Sequence, residues 1–119
     1  ANAVTLDGKL YNVDGNSNRV AALLFGPKSV VVVAGCNKIV PDIEAAAKRV
    51  KTAAAPCNCL RLHCETFCRE KGICSEAAND EIGSGCQSEG RICCNYVISA
   101  KQRHKDRIKV ILVGEELGY

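Results

Sequence analysis

Eight of the nine cysteines in this chain fall between Cys57 and Cys94, and that segment constrains everything else. On either side, the sequence is rich in Val, Ile, Leu and Ala. Inside it, hydrophobic periodicity stops and Gly, Ser, Glu and Cys take over. A stretch of that composition buries too little apolar surface to order itself, so something else must hold it. Three agents can do so: a thiolate-bound metal, disulfides, or packing of buried thiols against the surrounding framework. An odd number of cysteines rules out complete intramolecular pairing. With no secretory leader in the sequence, the expectation is a reducing, cytoplasmic compartment, where clustered cysteines bind metal or do redox chemistry.

With 119 residues the chain is read as a single domain, residues 1–119, with the cysteine-rich insertion at 57–94. No apolar run approaches the length of a membrane span, so no membrane association is expected. A net charge of +3 falls short of a nucleic-acid footprint, and no nucleic-acid partner is expected. Basic residues do cluster from Lys101 to Lys109, but Asp106 interrupts them and no aromatic is interleaved for stacking. That cluster reads as a solvated turn between strands. Methionine is absent even at position 1, so the expectation is a processed product or part of something longer.

Residues 2–13 read as a hairpin turning at Asp7-Gly8. Asn18 to Phe25 reads as a short helix capped by Asn16 or Ser17 and ended by Gly26-Pro27. The valine run from Lys28 to Ala34 suits a strand covered on both faces, which favours a parallel sheet. The spacing of Ile43, Ala46, Ala47, Val50 and Ala54 predicts a helix with one thin apolar face. Pro41 suits its first position and Pro56 is expected to stop it. Ile92–Ala100 and Arg107–Val113 read as strands, the second of them central. The sum is an α/β fold, a largely parallel sheet with flanking helices and an inserted cysteine-rich loop.

Two basic positions sit where such folds bind anions. Asn37-Lys38 follows a buried strand and precedes a helix, and ligands in open α/β sheets collect at the carboxyl ends of strands. Lys38 is therefore a candidate for a carboxylate or phosphate, with Asn37 shaping the turn. Asn18-Arg19 offers a second contact, since a guanidinium can grip an anion bidentately. The competing reading makes Asn37 a helix cap and both cations solvated. Cys36 reads as a variable small turn residue rather than a nucleophile. His63 is a possible extra ligand beside Cys64, and His104 belongs to the basic turn. No glycine-rich nucleotide fingerprint or serine elbow occurs.

Several ordered strings resemble the lactate-utilisation (LUD) domain family: Asn2-Ala3-Val4-Thr5-Leu6-Asp7-Gly8, Asn12 through Val20, Phe25-Gly26-Pro27, Gly35-Cys36-Asn37-Lys38-Ile39-Val40, the helix end from Arg49 to Ala55-Pro56, and the closing Val113 through Tyr119. The resemblance extends to a small cysteine-rich subgroup through Gly72-Ile73-Cys74 and Arg91-Ile92-Cys93, although family domains usually carry further residues upstream. It implies a fold similar to the CoA-transferase and ribose-phosphate-isomerase type. It also implies service in bacterial lactate or organic-acid oxidation, as subunit or accessory beside iron–sulfur partner subunits or as a homo-oligomer. Cys68, Cys74, Cys86 and Cys93 match the subgroup's loop and are the set expected to hold zinc or an iron–sulfur cluster, separated by 5, 11 and 6 residues. By fold analogy Glu115 or Glu116 could carry an acyl group; a solvated carboxylate is the competing reading. The alternative function is a non-catalytic interaction domain whose loop is stapled by zinc or thiols.

Overall fold

The structure, a computed structural model, describes residues Ala1–Tyr119. The chain opens with β1 (Ala3–Thr5) and β2 (Leu10–Asp14), an antiparallel hairpin with Ala3 opposite Tyr11. Gly8 supplies the positive φ the turn requires, at 86°. Helix α1 (Asn18–Leu24) leads to β3 (Val30–Gly35), a 3-10 turn at Cys36–Lys38 and the short β4 (Ile39–Val40). Then come α2 (Ile43–Arg49), α3 (Ala55–Leu62), α4 (Phe67–Lys71), β5 (Asn95–Ser99) and β6 (Ile108–Val113).

The expectation of a largely parallel sheet is not met. The larger sheet is mixed and runs β4-β1-β2-β5, with antiparallel β1/β2 and β2/β5 pairs and a single parallel pair, β1/β4. The long parallel pair is β3/β6, which stands apart as a two-stranded sheet. The valine run was read as doubly covered, but Val31 and Val33 are 57 % and 51 % exposed while Val32 and Ala34 are buried. β3 therefore alternates, and β6 beside it is an exposed strand rather than a central one. A run of one residue type conceals the period-two signal that distinguishes these cases. Val31, Val33, Lys109 and Ile111, paired across the two strands, form an open outer face.

Two cores flank the larger sheet. Val4, Leu10, Val20 and Leu23 pack against Val32 and Ala34, which seats α1 and β3 on one side. Ala3, Tyr11 and Val40 meet Ala46, Ala47, Val50 and Ala55, which seats the α2–α3 rod on the other. The thin alanine face read from the sequence is thus the buried one. The N-cap of α2 is Asp42, whose carboxylate accepts from the Ala45 N–H at 2.8 Å; Pro41 lies outside the helix. For α1 the expected Asn16 or Ser17 cap is absent, and Asp14 accepts the Val20 N–H instead, at 3.0 Å. Arg107 closes the other end of α1 by donating to the carbonyls of Ala22, Leu23 and Pro27, so one member of the basic turn is structural. No helix is long and apolar enough to cross a membrane.

Pro56 does not stop the helix. Residues Val50–Ala54 widen into a π-helical turn in which the Ala55 N–H bonds Val50 O, and α3 continues with Pro56 in its first turn. The widened turn accommodates the proline ring. It also frees a carbonyl: Lys51 O has no intrahelical donor, because the Ala55 N–H is spent on Val50 and Pro56 has none. The Cys74 N–H takes it, at 2.9 Å. The helix ends instead at His63, in the left-handed conformation.

The carboxyl segment after β6 folds back over the Cys36–Lys38 turn. Asn37 donates to Gly118 O at 2.9 Å and accepts from the Leu117 N–H at 3.2 Å, and the Cys36 N–H donates to Glu115 O. Gly35 permits this approach, since a Cβ there would lie 2.4 Å from Leu117 N and 2.6 Å from Glu115 O. Gly35→Ala is expected to lower stability by about 1–3 kcal/mol in urea unfolding, by forcing the tail off the turn.

Candidate functional site

Two adjoining hollows flank the π-turn. The first is a cleft of about 580 Å³ between the start of α1, the Cys36–Lys38 turn and the α2–α3 rod. Asn18, Arg19 and Lys38 line it, as expected; Asn37 does not, being committed to the carboxyl segment. Glu115 and Glu116 are exposed and lie outside it. Three cations face the cleft, because Arg61 joins from α3 together with Asn58. Helical pattern reading could have placed these two one turn apart on a single face; nothing in the sequence marked that face as the cleft's.

The cations are not equivalent. Arg19 is tied down: Nε and Nη2 donate to Asp14 Oδ1 at 2.9 and 2.6 Å, and Nη1 donates to Asn12 Oδ1 at 2.6 Å. Nη2 also reaches Asn2 Oδ1 at 2.9 Å. Its main work is to brace α1 against β2. Lys38 has no hydrogen-bond or ion-pair partner among the side chains. Burial, and then the positive charges of Arg49 and Arg19, lower its pKa below the usual lysine range. Arg61 donates through Nε and Nη2 to Asn58 Oδ1, leaving Nη1 uncommitted. The one acidic side chain at the cleft, Asp14, is already paired with Arg19. The unspent charge is positive.

The second hollow is a small, partly open pocket of about 20 Å³ beneath the cysteine segment. All four expected cysteines, Cys68, Cys74, Cys86 and Cys93, line it, and Cys59 from α3 is a fifth. Burial pushes the Cys93 thiol up to about 12, with the charges of Cys68, Cys74 and Cys86 adding to the shift and Arg91 opposing it. Cys59 lies beside Cys68 and Cys64, and burial raises its pKa as well. Thr66 Oγ1 contacts Cys68 Sγ at 3.4 Å. All nine cysteines are free, and no three His, Cys, Asp or Glu side chains stand in ligating geometry. The cavity gathers soft donors without closing them on a centre. Cys57 and Cys59 lie on opposite sides of α3, Cys57 exposed and Cys59 buried, because residues two apart on a helix do not face the same way. Cys93 and Cys94 diverge, Cys93 lining the cavity and Cys94 exposed.

Two cations that pattern reading passed over hold this segment. Lys51, on the π-turn, is only 6 % exposed and has no acid partner. Its ammonium donates to Asn79 O at 2.5 Å, Glu81 O at 3.0 Å and Ser84 Oγ at 2.6 Å. Arg91 donates to the carbonyls of Gly83, Cys86 and Cys93 and to the Tyr96 hydroxyl. A Cβ at Gly85 would lie 2.8 Å from the Arg91 guanidinium, which would have to shift to admit it. Val50, Ala55, Ile92 and Cys93 line both hollows and form the wall between them.

A family model described as the LUD domain matches residues 1–113. No curated protein and no solved structure matches the chain.

Lys51→Met should cost about 2–4 kcal/mol, because three acceptors lose a charged donor, and should speed amide exchange from Cys74 to Ser84. Alkylation at pH 8.5 should label Cys36, Cys57 and Cys94 first. Cys93 should resist until its thiolate forms at higher pH or the chain unfolds, as peptide mapping by mass spectrometry would read. The sign follows: a thiol whose folded pKa is raised favours the folded state while protonated. That contribution should fade as pH climbs from about 9 towards about 12.

Proposed function

Because the chain belongs to the LUD domain family, we propose that it binds a small organic anion and serves lactate or related organic-acid oxidation as a subunit or accessory. The observation that carries this reading is Lys38, a partly desolvated ammonium with no partner, facing a cleft that Arg61 and Arg19 also line. A carboxylate entering there would find the unspent ammonium of Lys38 and the free Nη1 of Arg61. Asn18 would orient its oxygens, Arg19 would supply field from a fixed position, and Asn37 would act indirectly by setting the turn that carries Lys38. In the cysteine cavity, Cys68, Cys74, Cys86 and Cys93 would hold a thiolate-bound metal, zinc or an iron–sulfur cluster. Thiolate donors with no competing carboxylate suit both. Free thiols throughout favour a reducing compartment, the cytoplasm.

A second reading has its own support. The open β3/β6 face, carrying Val31, Val33 and Ile111, is what a domain built to work within an assembly would leave exposed. On that reading the domain is a non-catalytic interaction module with a metal- or thiol-stapled loop. Iron–sulfur subunits or a second copy of the chain would be its partners.

Calorimetric titration with L-lactate and pyruvate separates the two. The anion reading expects binding that weakens at least tenfold in Lys38→Ala, and that fades as pH rises through the lowered Lys38 pKa. An unmodified chain that binds neither acid, or a Lys38→Ala variant that binds both unchanged, would leave the interaction module standing.

A further inference from the structure

Helix α1 has the anion cleft at its start and a second surface, of different chemistry, at its end. Three loops meet there: the hairpin turn at Gly8, residues 25–29 after α1, and the basic turn 100–107. Leu10 lies opposite Ser99, which sets the hairpin turn beside the start of the basic turn. Arg107 fastens the basic turn to α1 through the carbonyls of Ala22, Leu23 and Pro27, and Lys109 Nζ donates to Ser29 Oγ at 2.8 Å. Between these loops runs an open groove of about 480 Å³. Apolar Leu10, Leu23, Ile98, Ile108 and Val110 line it, together with the exposed Lys101, Arg103 and His104. Val110 faces away from the side of β6 that carries Ile111, so the groove is separate from the open outer face of β3/β6.

At this end stand Leu24 and Phe25, 60 % and 89 % exposed. Phe25 ends α1 in an extended conformation ahead of Gly26-Pro27, and its ring stands off the protein. Around this apolar pair the charge is positive. Lys28, Lys101, Arg103 and Lys105 are exposed and take part in no ion pair. Asp106 is the one acid within the basic turn, and Asp7 is paired with Lys9. Asp42 and Glu44 lie past β4, at the opposite edge of the larger sheet from β5. Three of the four unpaired cations are lysines, which protein interfaces disfavour. Lipid headgroups accept them, because the ammonium reaches a phosphate while its methylene stem lies along apolar surface. The expectation of no membrane association rests on run length, which bears on spanning a bilayer and not on lying against one.

We propose that this end of the protein docks on the surface of an anionic lipid bilayer, with Leu24 and Phe25 entering the acyl boundary and Lys28, Lys101, Arg103 and Lys105 on headgroup phosphates. The apolar groove beside them lies against the acyl chains. Docking makes and breaks no covalent bond. The anion cleft, at the other end of α1, stays open to water, so the inference stands apart from the organic-acid reading and from the interaction module built on the β3/β6 face.

The test is co-sedimentation with vesicles of equimolar phosphatidylglycerol and phosphatidylcholine, against vesicles of phosphatidylcholine alone. The chain should pellet with the first and not the second, and added salt should release it. Phe25→Ser should weaken binding roughly tenfold, and Lys101→Glu combined with Arg103→Glu should abolish it, with far-ultraviolet circular dichroism unchanged in both. The chain has no tryptophan, so Phe25→Trp installs a single reporter. Its emission should shift to the blue on the anionic vesicles and be quenched by brominated acyl chains. Failure to bind the anionic vesicles would overturn the proposal, and so would equal binding to the neutral ones. Binding that leaves the Phe25→Trp emission unshifted would overturn the entry of this loop. Capture by polyglutamate without vesicle binding would give the surface to an acidic protein instead. Self-association that Phe25→Ser abolishes, again without vesicle binding, would give it to a second copy of the chain.

Discussion

Lys51 holds the cysteine segment by both of its ends. Its carbonyl, orphaned where the helix widens ahead of Pro56, receives the Cys74 N–H, and its ammonium is solvated by Asn79, Glu81 and Ser84. A buried lysine without an acid partner is ordinarily costly. Here the segment's own oxygens replace water, so the charge and the loop depend on each other. Remove either and the other has no reason to be where it is. The tightly wound helix that Ala-rich residues would otherwise form has no free carbonyl at this place, so the anchor depends on a proline within the rod.

That dependence also explains where pattern reading stops. The hairpin and the buried face of α2 were legible because each is written in local spacing: Asp7-Gly8, and Ile43 through Ala54. Pro56 misled because its usual effect is to end a helix, and the π-turn that accommodates it leaves no trace in residue type. The parallel sheet misled for another reason. Consecutive valines fit a covered strand and an alternating one equally, and only the placement of β6 beside β3, away from β1 and β2, decides between them.

The candidate site shows the same division. Lys38 and the four matched cysteines reach their hollows, but what distinguishes them from their neighbours is long-range. Arg19 looks like an anion grip in sequence and serves as a brace, because Asn12 and Asp14 of β2 and Asn2, just ahead of β1, converge on its guanidinium. Asn37, read as a cap or an anion contact, holds the carboxyl segment instead. Arg61 was invisible as a site residue because α3 was not expected to exist beyond Pro56. Once it does, one side of it supplies Asn58 and Arg61 to the cleft and another supplies Cys59 to the cavity. The wall of Val50, Ala55, Ile92 and Cys93 makes the two hollows neighbours, so a change in the packing of one is felt by the lining of the other.

The β3/β6 pair has a cost in time as well as in exposed surface. These strands are joined in register along their whole length, yet the rod, the cysteine segment and β5 all lie between them in sequence. Closing so long a loop is entropically expensive, and parallel pairing across it gives nothing back until it is nearly complete. The hairpin and the helical rod, by contrast, are local. Whatever orders the cysteine segment shortens the effective loop that β6 must span, so the agent that staples the insertion also governs how long two valine-rich strands remain unpaired.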